Sequence, residues 1–291
     1  MKLSIIIVNY NTYKLTKQTI ESVFNAKPSF KYEIILVDNA SSDDSISKLQ
    51  EWLKQHPDKE KVEIIINHDN LGFSKANNIG IKKANGAYIL LLNSDTYIVK
   101  DCLERCISYI ENHRRIGALG CKVILPNGSL DHACKRGFPT PKASLHYFLK
   151  LHKINPKKYG AYEALHLGVD EVGEVDVIMG AFMLMSKTVL DEVGLLDERF
   201  FMYGEDIDLC FRIKQAGYPI IYYPKASIIH YKGGSSKKKR TKIIYDFHNA
   251  MWLFYKKHYY KKYHIGISLL VFIGVWAKYA LESAKNFLKH S

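Results

Sequence analysis

The sequence predicts an α/β fold with a central, mostly parallel β-sheet, and three observations support this fold class. Apolar runs rich in β-branched residues lie at 3–8, 33–37, 62–66 and 87–92, which is typical of strands buried on both faces. Segments with helical spacing lie between them, at 13–25, 44–55 and 74–83. Strands and helices that alternate strictly along a chain form parallel pairs joined by right-handed crossovers.

The remaining elements follow in a less regular order. Helical spacing is found at 101–112, 187–193 and 206–216, and strand-like runs at 117–125, 174–185 and 218–223. Region 126–172 is rich in Lys, His, Tyr and Pro without a clear period, so we expect loops and short helices there, over the active face. At the start of the helix at 44–55, the candidate capping residues are Ser41, Ser42 and Asp43.

Length and composition limit the possible classes of protein. A chain of 291 residues with 47% hydrophobic content can bury the core of one domain of about 200 to 250 residues and still carry an appendage. The five cysteines are an odd number without C-x-x-C spacing, which indicates reduced thiols in a cytosolic protein. The N-terminal run LSIIIVNY turns polar too soon for a signal peptide, so we expect this end to fold in the cytoplasm.

Polar residues follow each of the first four predicted strands. They are Asn9 and Asn11 after the first strand, Asp38 after the second, Asn70 and Gly72 after the third, and Asn93, Ser94 and Asp95 after the fourth. In open α/β sheets, ligands bind beyond the carboxyl ends of the strands. Any one of these residues can be explained as a turn or a helix cap, but four successive strands ending this way indicate a binding site.

Two of these positions carry carboxylates suited to particular ligands. The hexapeptide LLNSDT brings Asp95 to a strand tip, where it can bind Mg²⁺ or Mn²⁺ shared with substrate phosphates; the alternative is an acid in a turn. Asp38 can accept a hydrogen bond from a nucleobase or a ribose hydroxyl. His230, which follows an apolar run, is either a structural histidine or a second metal ligand.

The segment NLGFSKANNIGI predicts an anion site. Gly72 allows close approach of the backbone, and the following helix is expected to present Ser74, Lys75 and Asn77 at its N-terminus, where anions are favoured. The segment lacks both the P-loop pattern and the Rossmann glycine pattern, so kinase and dehydrogenase chemistry receive no support.

Three carboxylates occupy four positions in the segment FFMYGEDIDLCF, at Glu205, Asp206 and Asp208. The positive end of a helix that begins near Glu205 would offset their charge, and one of them can act as a general base toward an acceptor hydroxyl. The alternative is structural: Glu205 and Asp206 cap the helix, and Asp208 pairs with Arg212 four residues later.

Taken together, several segments resemble family 2 glycosyltransferases, in particular the rhamnosyltransferase-like branch that builds bacterial surface polysaccharides. The segments are SIIIVNYN, VDNASSDDS, NLGFSKANNIG, LLNSDT, GAFMLMSKTVLDEVGLLDERFFMYGEDIDLCFRIKQAGY and IIHYKGGSS, which occur in this order over residues 3–236. Of these, the block GEDIDLCFR is the most distinctive single motif.

The resemblance implies a GT-A fold and an inverting transfer from a nucleotide-diphosphate sugar. By this similarity, Asp38 would bind the nucleobase, Asp206 would be the catalytic base, and Asp95 and His230 would bind a divalent cation. Asn93 replaces the first aspartate of the family's D-x-D motif. The residues predicted to bind the nucleotide sugar are Asn9, Asn11, Asp38, Asn70, Gly72, Lys75, Asn77, Asn93, Ser94, Asp95 and Glu205. The predicted donor is dTDP-L-rhamnose, and the predicted acceptor is a saccharide or a lipid-linked saccharide.

The C-terminal part differs in character from the rest of the chain. Residues 232–291 hold 13 Lys or Arg against two acids, which accounts for +11 of the net charge of +13. The charge-free run at 265–277 is shorter than the roughly 20 residues that span a bilayer. Aromatic and basic residues beside it favour a helix lying on, or partly inserted into, the inner face of the plasma membrane; the alternative is a buried helix with a basic face. Nucleic acid is not an expected partner, because a phosphate-binding arm needs no such apolar run.

We therefore predict a glycosyltransferase domain at 1–236, with a nucleotide-binding half at 1–96 and an acceptor-binding, catalytic half at 97–236, and a membrane-associated tail at 237–291. Three alternatives stay open: a UDP-hexose donor, a sugar nucleotidyltransferase, and a non-catalytic nucleotide-binding protein. The sequence NYNT after the first strand lacks the glycine-rich basic loop expected of a nucleotidyltransferase.

Overall fold

The computed structural model describes residues 1–232 and 240–288. In these ranges the strands are β1 (Leu3–Asn9), β2 (Tyr32–Asp38), β3 (Val62–Ile66), β4 (Tyr88–Leu92), β5 (Thr96–Ile98), β6 (Ala118–Ile124), β7 (Lys135–Arg136), β8 (Gly173–Val175), β9 (Val177–Ile178), β10 (Phe182–Ser186) and β11 (Ile220–His230). The α-helices are α1 (Tyr13–Ala26), α2 (Ser45–Lys54), α3 (Phe73–Lys83), α4 (Cys102–Asn112), α5 (Pro141–Phe148), α6 (Pro156–Tyr159), α7 (Lys187–Val193), α8 (Glu205–Gln215), α9 (Arg240–His258) and α10 (Ile265–Leu288).

One large sheet organises the body of the protein. Its strand order is β3-β2-β1-β4-β10-β6-β11-β5, and β8 pairs with β11. Strands β1 to β4 are parallel, as predicted, and β10 runs antiparallel between β4 and β6. Since β11 is parallel to β6, the carboxyl ends of β1, β2, β4 and β11 and the start of β10 all meet at one edge.

The core of the sheet consists of the predicted apolar runs. Leu3, Ile34 and Leu90 on the first, second and fourth strands are fully buried, because α/β crossovers cover both faces of the sheet. The five cysteines are buried and free, so the prediction of reduced thiols is confirmed.

Several predicted elements differ from those observed. The strand-like run 174–185 forms three short strands, because β9 leaves the large sheet to pair with β7. Strand β11 continues from Ile220 to His230 through a register shift between Tyr223 and Ser227, whereas the sequence indicated a short strand ending at Tyr223. Strand β5 was not predicted, since three residues are too few to show a period.

Of the three alternative capping residues for α2, Asp43 is the one whose side chain bonds the start of the helix. Ser41 donates its hydroxyl to the carboxylate of Asp38 instead, and the Ser42 backbone N–H donates to Asn11 Oδ1. Asp43 Oδ1 accepts from the backbone N–H of Ser45, the first residue of the helix. The polar loop after β2 is therefore bonded both to the sheet edge, through Ser41 and Ser42, and to the start of α2, through Asp43.

The tail forms two helices that follow the body. The predicted boundary between 236 and 237 and the basic run 237–239 lie outside the described residues. Helix α9 packs against the body through Phe254, which joins a cluster with Phe200, Phe211 and Tyr259, the residue that follows the helix. Helix α10 is 24 residues long and continues through Lys278, so it extends beyond the charge-free run at 265–277. Among the described residues it is the one helix with the length and composition to cross a membrane.

Candidate active site

Asp38 lies buried at the end of β2 with its carboxylate held in place by neighbours. Asn9 Nδ2 donates to Asp38 Oδ1 at 2.6 Å, and the Ser41 N–H and hydroxyl donate to the two oxygens. Asn9 Oδ1 accepts from the hydroxyls of Thr12 and Thr16. The side chain of Asn9 is thus committed within the protein, and its position suits orienting Asp38 rather than contacting a ligand.

The residues after β2 are connected to the loop before α3. Asn39 Nδ2 lies 3.0 Å from Asn70 Oδ1 and 3.3 Å from the carbonyl oxygen of Gly72. Gly72 has a φ of +82°, and a Cβ atom there would lie 2.5 Å from the carbonyl oxygen of Phe201. Only glycine fits this position, which brings the start of α3 against the segment that precedes α8.

The start of α3 presents fewer polar groups than the sequence predicts. Lys75 is exposed, but Asn77 is buried and donates to the carbonyl of Phe73 one turn earlier. Ser74 donates to the carbonyl of Phe200. A helix places successive residues on different faces, so the expectation that all three share the sheet edge was wrong for Ser74 and Asn77.

Asn11, which follows β1, is half-buried and has a φ of +55°.

The D-x-D-like segment lies beside His230 at the ends of β4 and β11. Asp95 Oδ1 is 3.2 Å from His230 Nε2, and Asn93 Nδ2 is 3.4 Å from the same nitrogen. Asn93 Oδ1 is buried and has no hydrogen-bond partner among the described residues. A carboxylate oxygen and a ring nitrogen therefore face each other, and an unsatisfied amide oxygen belongs to the same cluster of side chains.

A second carboxylate, Asp131, stands behind His230. Asp131 Oδ2 lies 3.5 Å from His230 Nδ1, and Lys232 Nζ lies 2.9 Å from the same carboxylate. Burial lowers the pKa of His230, but Asp131 and Asp95 outweigh it and raise the pKa to about 9. Burial raises the pKa of Asp131, yet His230 and Lys232 bring it down to about 2. A carboxylate behind a histidine fixes the ring orientation that a metal ligand requires.

These groups can supply part of the coordination shell of the divalent cation that the resemblance implies. Within residues 1–232 and 240–288, no three His, Cys, Asp or Glu side chains have the spacing of a complete metal site. Asp95, His230 and the unsatisfied Asn93 Oδ1 can supply part of a shell whose other ligands are phosphate oxygens and water, as is usual for Mg²⁺. A ligating imidazole must be neutral, so a cation would displace the proton of His230.

The three acids at the start of α8 lie in three different surroundings. Asp206 Oδ2 accepts from Arg136 Nη2 at 2.6 Å, and Asp206 Oδ1 accepts from the N–H of Ile207. Glu205 is buried, and its Oε2 has no hydrogen-bond partner in the described parts of the chain. Burial, followed by the charge of Asp206, raises the pKa of Glu205 to about 8. Glu205 therefore holds its proton at neutral pH, while Asp206 is paired with the guanidinium of Arg136.

Asp208, by contrast, belongs to a buried ionic cluster on the far side of α8. It is fully buried and accepts from Arg212 Nε at 2.9 Å, which is the pairing that the structural alternative predicted. Lys257 and His258 of α9 also contact it, at 2.6 and 2.7 Å. Asp208 therefore connects α8 to the tail and is turned away from the site.

Short contacts link the metal-binding and catalytic candidates to one another. The N–H of Asn93 donates to the carbonyl of Ala181, and a Cβ atom on the adjacent Gly180 would lie 3.6 Å from the Cβ of Asp206. The hydroxyls of Thr12 and Ser94 lie 3.4 Å apart, and Thr12 also donates to Asn9, the partner of Asp38. The nucleotide-binding, metal-binding and catalytic candidates thus share one edge of the sheet.

Two site residues were missed by the sequence analysis, Asp131 and Arg136. Both lie in one short segment of region 126–172, in which Asp131 reaches His230 and Arg136 reaches Asp206. That region showed no periodicity. The one available signal was its expected position over the active face, which did not identify these residues among its many charges.

The chain is similar to known proteins in sequence. The sequence pattern of the family described as glycosyl transferase family 2 matches residues 4–172. The chain is 29% identical over 217 residues to the low-salt glycan biosynthesis hexosyltransferase Agl10 of Haloferax volcanii, covering 73% of this chain and 62% of that protein, which is less than two thirds of its length. It is 25% identical over 232 residues to the N-acetylglucosaminyl-diphospho-decaprenol L-rhamnosyltransferase of Mycobacterium tuberculosis, covering 76% and 73%.

Solved structures confirm the fold. The mannosyltransferase of Pyrobaculum calidifontis in complex with GDP-Man and Mn²⁺ superposes with a TM-score of 0.62 at 15% identity, covering 88% of this chain and 63% of that one. The central sheet is thus of the GT-A type, as predicted. With the family pattern matching more than half of its residues, the chain belongs to glycosyl transferase family 2.

Proposed function

We propose that this protein is an inverting, metal-dependent glycosyltransferase that moves a sugar from a nucleoside diphosphate to an acceptor hydroxyl. The observation that carries this proposal is the pair of contrasting acids at the start of α8. Asp206 forms an ion pair with Arg136 and lies beside Gly180 at the sheet edge, while burial of the adjacent Glu205 raises the pKa of that carboxyl to about 8. Neighbouring acids in such different surroundings are typical of sites that divide proton-transfer roles.

The donor would lie along the sheet edge, where polar side chains are already held in place. Asp38 is oriented by Asn9 and Ser41 and can accept from a nucleobase or ribose. Lys75, exposed in the first turn of α3, offers a positive charge where a helix N-terminus also favours phosphate. Asp95, Asn93 and His230 would hold the divalent cation, which stabilises the charge on the diphosphate leaving group.

Asp206 would act as the general base toward the acceptor. Its ion pair with Arg136 fixes the orientation of the carboxylate. A carboxylate has about four lone-pair sites, so the contacts with Arg136 and the Ile207 N–H leave Asp206 able to accept from a sugar hydroxyl. Attack by that hydroxyl on the face opposite the leaving group breaks the anomeric C–O bond, inverts the carbon and transfers the hydroxyl proton to Asp206.

We propose dTDP-L-rhamnose as the donor and a lipid-linked saccharide as the acceptor, in surface polysaccharide synthesis at the cytoplasmic face of the plasma membrane. The mycobacterial relative supports this choice, since its name gives both a rhamnosyl donor and a decaprenol-linked acceptor. The exposed apolar surface of the tail supports a membrane position. A UDP-hexose donor is the second candidate, because the archaeal relative is named a hexosyltransferase.

Donor screening with variants of the metal-binding residues tests this proposal. Purified protein is supplied with dTDP-L-rhamnose or UDP-hexoses and a mixture of lipid-linked saccharides, and products are identified by mass. We expect transfer with Mg²⁺ or Mn²⁺, its loss in EDTA, and a loss of at least about 100-fold for Asp95→Ala, because the leaving group then lacks its cation. Transfer that is unaffected by both EDTA and Asp95→Ala would overturn the metal-dependent mechanism.

A further inference from the structure

Helix α10 has its polar and apolar sides reversed relative to a helix of a soluble domain. Its polar side chains face α9: Ser268 bonds Tyr255 at 2.9 Å, and Asn286 Nδ2 lies 3.3 Å from Thr241 Oγ1. Its outward face is apolar. Exposed there are Leu269, Leu270, Ile273, Leu281 and Leu288. A helix at a protein surface in water normally shows the opposite arrangement, so this face fits an apolar environment.

A second apolar surface adjoins α10. Helix α5 begins at Pro141, with the Thr140 hydroxyl accepting from the N–H of Ala143 as its cap. Large side chains on and after α5 are exposed, namely Leu145, Phe148, Leu149 and Ile154. The ammonium group of Lys278 on α10 lies 4.3 Å from the ring centre of Phe148, so α5 lies beside α10 at this point. We call the exposed apolar residues of α10 and of 145–154 together the apolar platform.

Positive charges surround the apolar platform. Residues 141–159 contain five lysines and no acid, and all five side chains are exposed: Lys142, Lys150, Lys153, Lys157 and Lys158. Just before α10, Lys261 is exposed as well. Each basic group near an anionic lipid surface contributes about 1 kcal/mol to binding, and apolar side chains beside them add the hydrophobic term.

We propose that the apolar platform binds an anionic lipid bilayer, with α5 inserting its side chains alongside α10. A second copy of the chain fits less well, since a two-fold interface through this surface would bring like-charged lysines together. The benefit of this contact for catalysis rests on the proposed function. Arg136, the partner of Asp206, lies five residues before Pro141 on the chain. A membrane-bound α5 would therefore hold the proposed catalytic base close to a lipid-linked acceptor.

Fluorophores placed on single cysteines test the contact of α5. All five native cysteines are buried, so an environment-sensitive dye can be attached selectively to Leu149→Cys, Ile273→Cys or, as the control, Ile66→Cys. Ile66 on the edge strand β3 is 50% exposed, comparable to 59% for Leu149. With vesicles of phosphatidylcholine and phosphatidylglycerol, we expect the emission of the first two labels to move to shorter wavelength and that of the third to stay unchanged.

Vesicle sedimentation gives the second measurement. Leu145→Glu combined with Leu149→Glu should lower the fraction bound to anionic vesicles about tenfold or more, because burying one leucine is worth at least a factor of about ten. Circular dichroism checks that the variant is folded. Binding equal to wild type, or a label at Leu149→Cys that does not respond, would overturn the role of α5, and dimerisation in place of vesicle binding would overturn the lipid assignment. The two vesicle experiments contain neither donor nor acceptor. Their result therefore does not depend on whether the proposed glycosyl transfer occurs.

Discussion

At the scale of single residues, surroundings decide what each carboxylate of the GEDID segment can do. Glu205 is buried, and its Oε2 has no hydrogen-bond partner in the part of the chain that the structure describes. Asp206 pairs with Arg136, and Asp208 lies among Arg212, Lys257 and His258. Burying an acid is costly unless a proton, a cation or a hydrogen bond compensates. Glu205 is compensated by a proton, and the other two by cations, so three neighbouring acids have three different roles.

The protonation of Glu205 makes a testable contribution to stability. The folded protein keeps the proton up to a pH of about 8, whereas the pKa of a glutamate without such surroundings is 4.5. The folded state therefore binds more protons in this interval, and the free energy of unfolding should fall as the pH rises from about 5 to 8. Urea unfolding at several pH values should show a shallower fall for Glu205→Gln than for wild type. Parallel profiles would show that Glu205 is already ionised in the folded protein.

At the scale of elements, Asp208 joins α8 to α9 and so connects the tail to the catalytic body. Asp208→Asn removes the charge that three neighbouring basic side chains share, and breaking a buried ion pair typically costs about 3–5 kcal/mol. We expect about 3 kcal/mol of destabilisation in urea unfolding, with the transfer rate per folded molecule within a factor of about three of wild type. Asp206→Asn, two residues earlier, is the matched control, for which we expect the larger loss in rate. A stability unchanged in Asp208→Asn would mean that the cluster contributes nothing.

The boundaries of helices and strands were predictable where the periodic pattern of apolar residues was long enough to recognise. Helix α7 was predicted at 187–193 and begins and ends there, and β3 likewise matches 62–66. Errors arose where tertiary contacts decide the structure. The register shift in β11 allows one strand to pair with β6, β8 and β5.

At the scale of the whole molecule, the topology of the sheet brings distant segments to one edge. The alternation of strands and helices predicts the parallel half, and the Asn and Asp residues at strand ends predict where a ligand binds. Asp131 and Arg136 could not be found in this way, since their partners are His230 and Asp206, each about 70 to 100 positions away. No local pattern encodes contacts at such separations.

The central claim is that Asp206 removes the acceptor proton in a site whose donor is held by other residues. Transfer rate and donor affinity, measured on one preparation of Asp206→Asn shown to be folded by circular dichroism, test it most directly. Loss of a general base typically lowers a rate by about 10²- to 10⁴-fold, so we predict a loss in that range, with donor affinity within about twofold of wild type. Transfer within about tenfold of the wild-type rate would contradict this assignment.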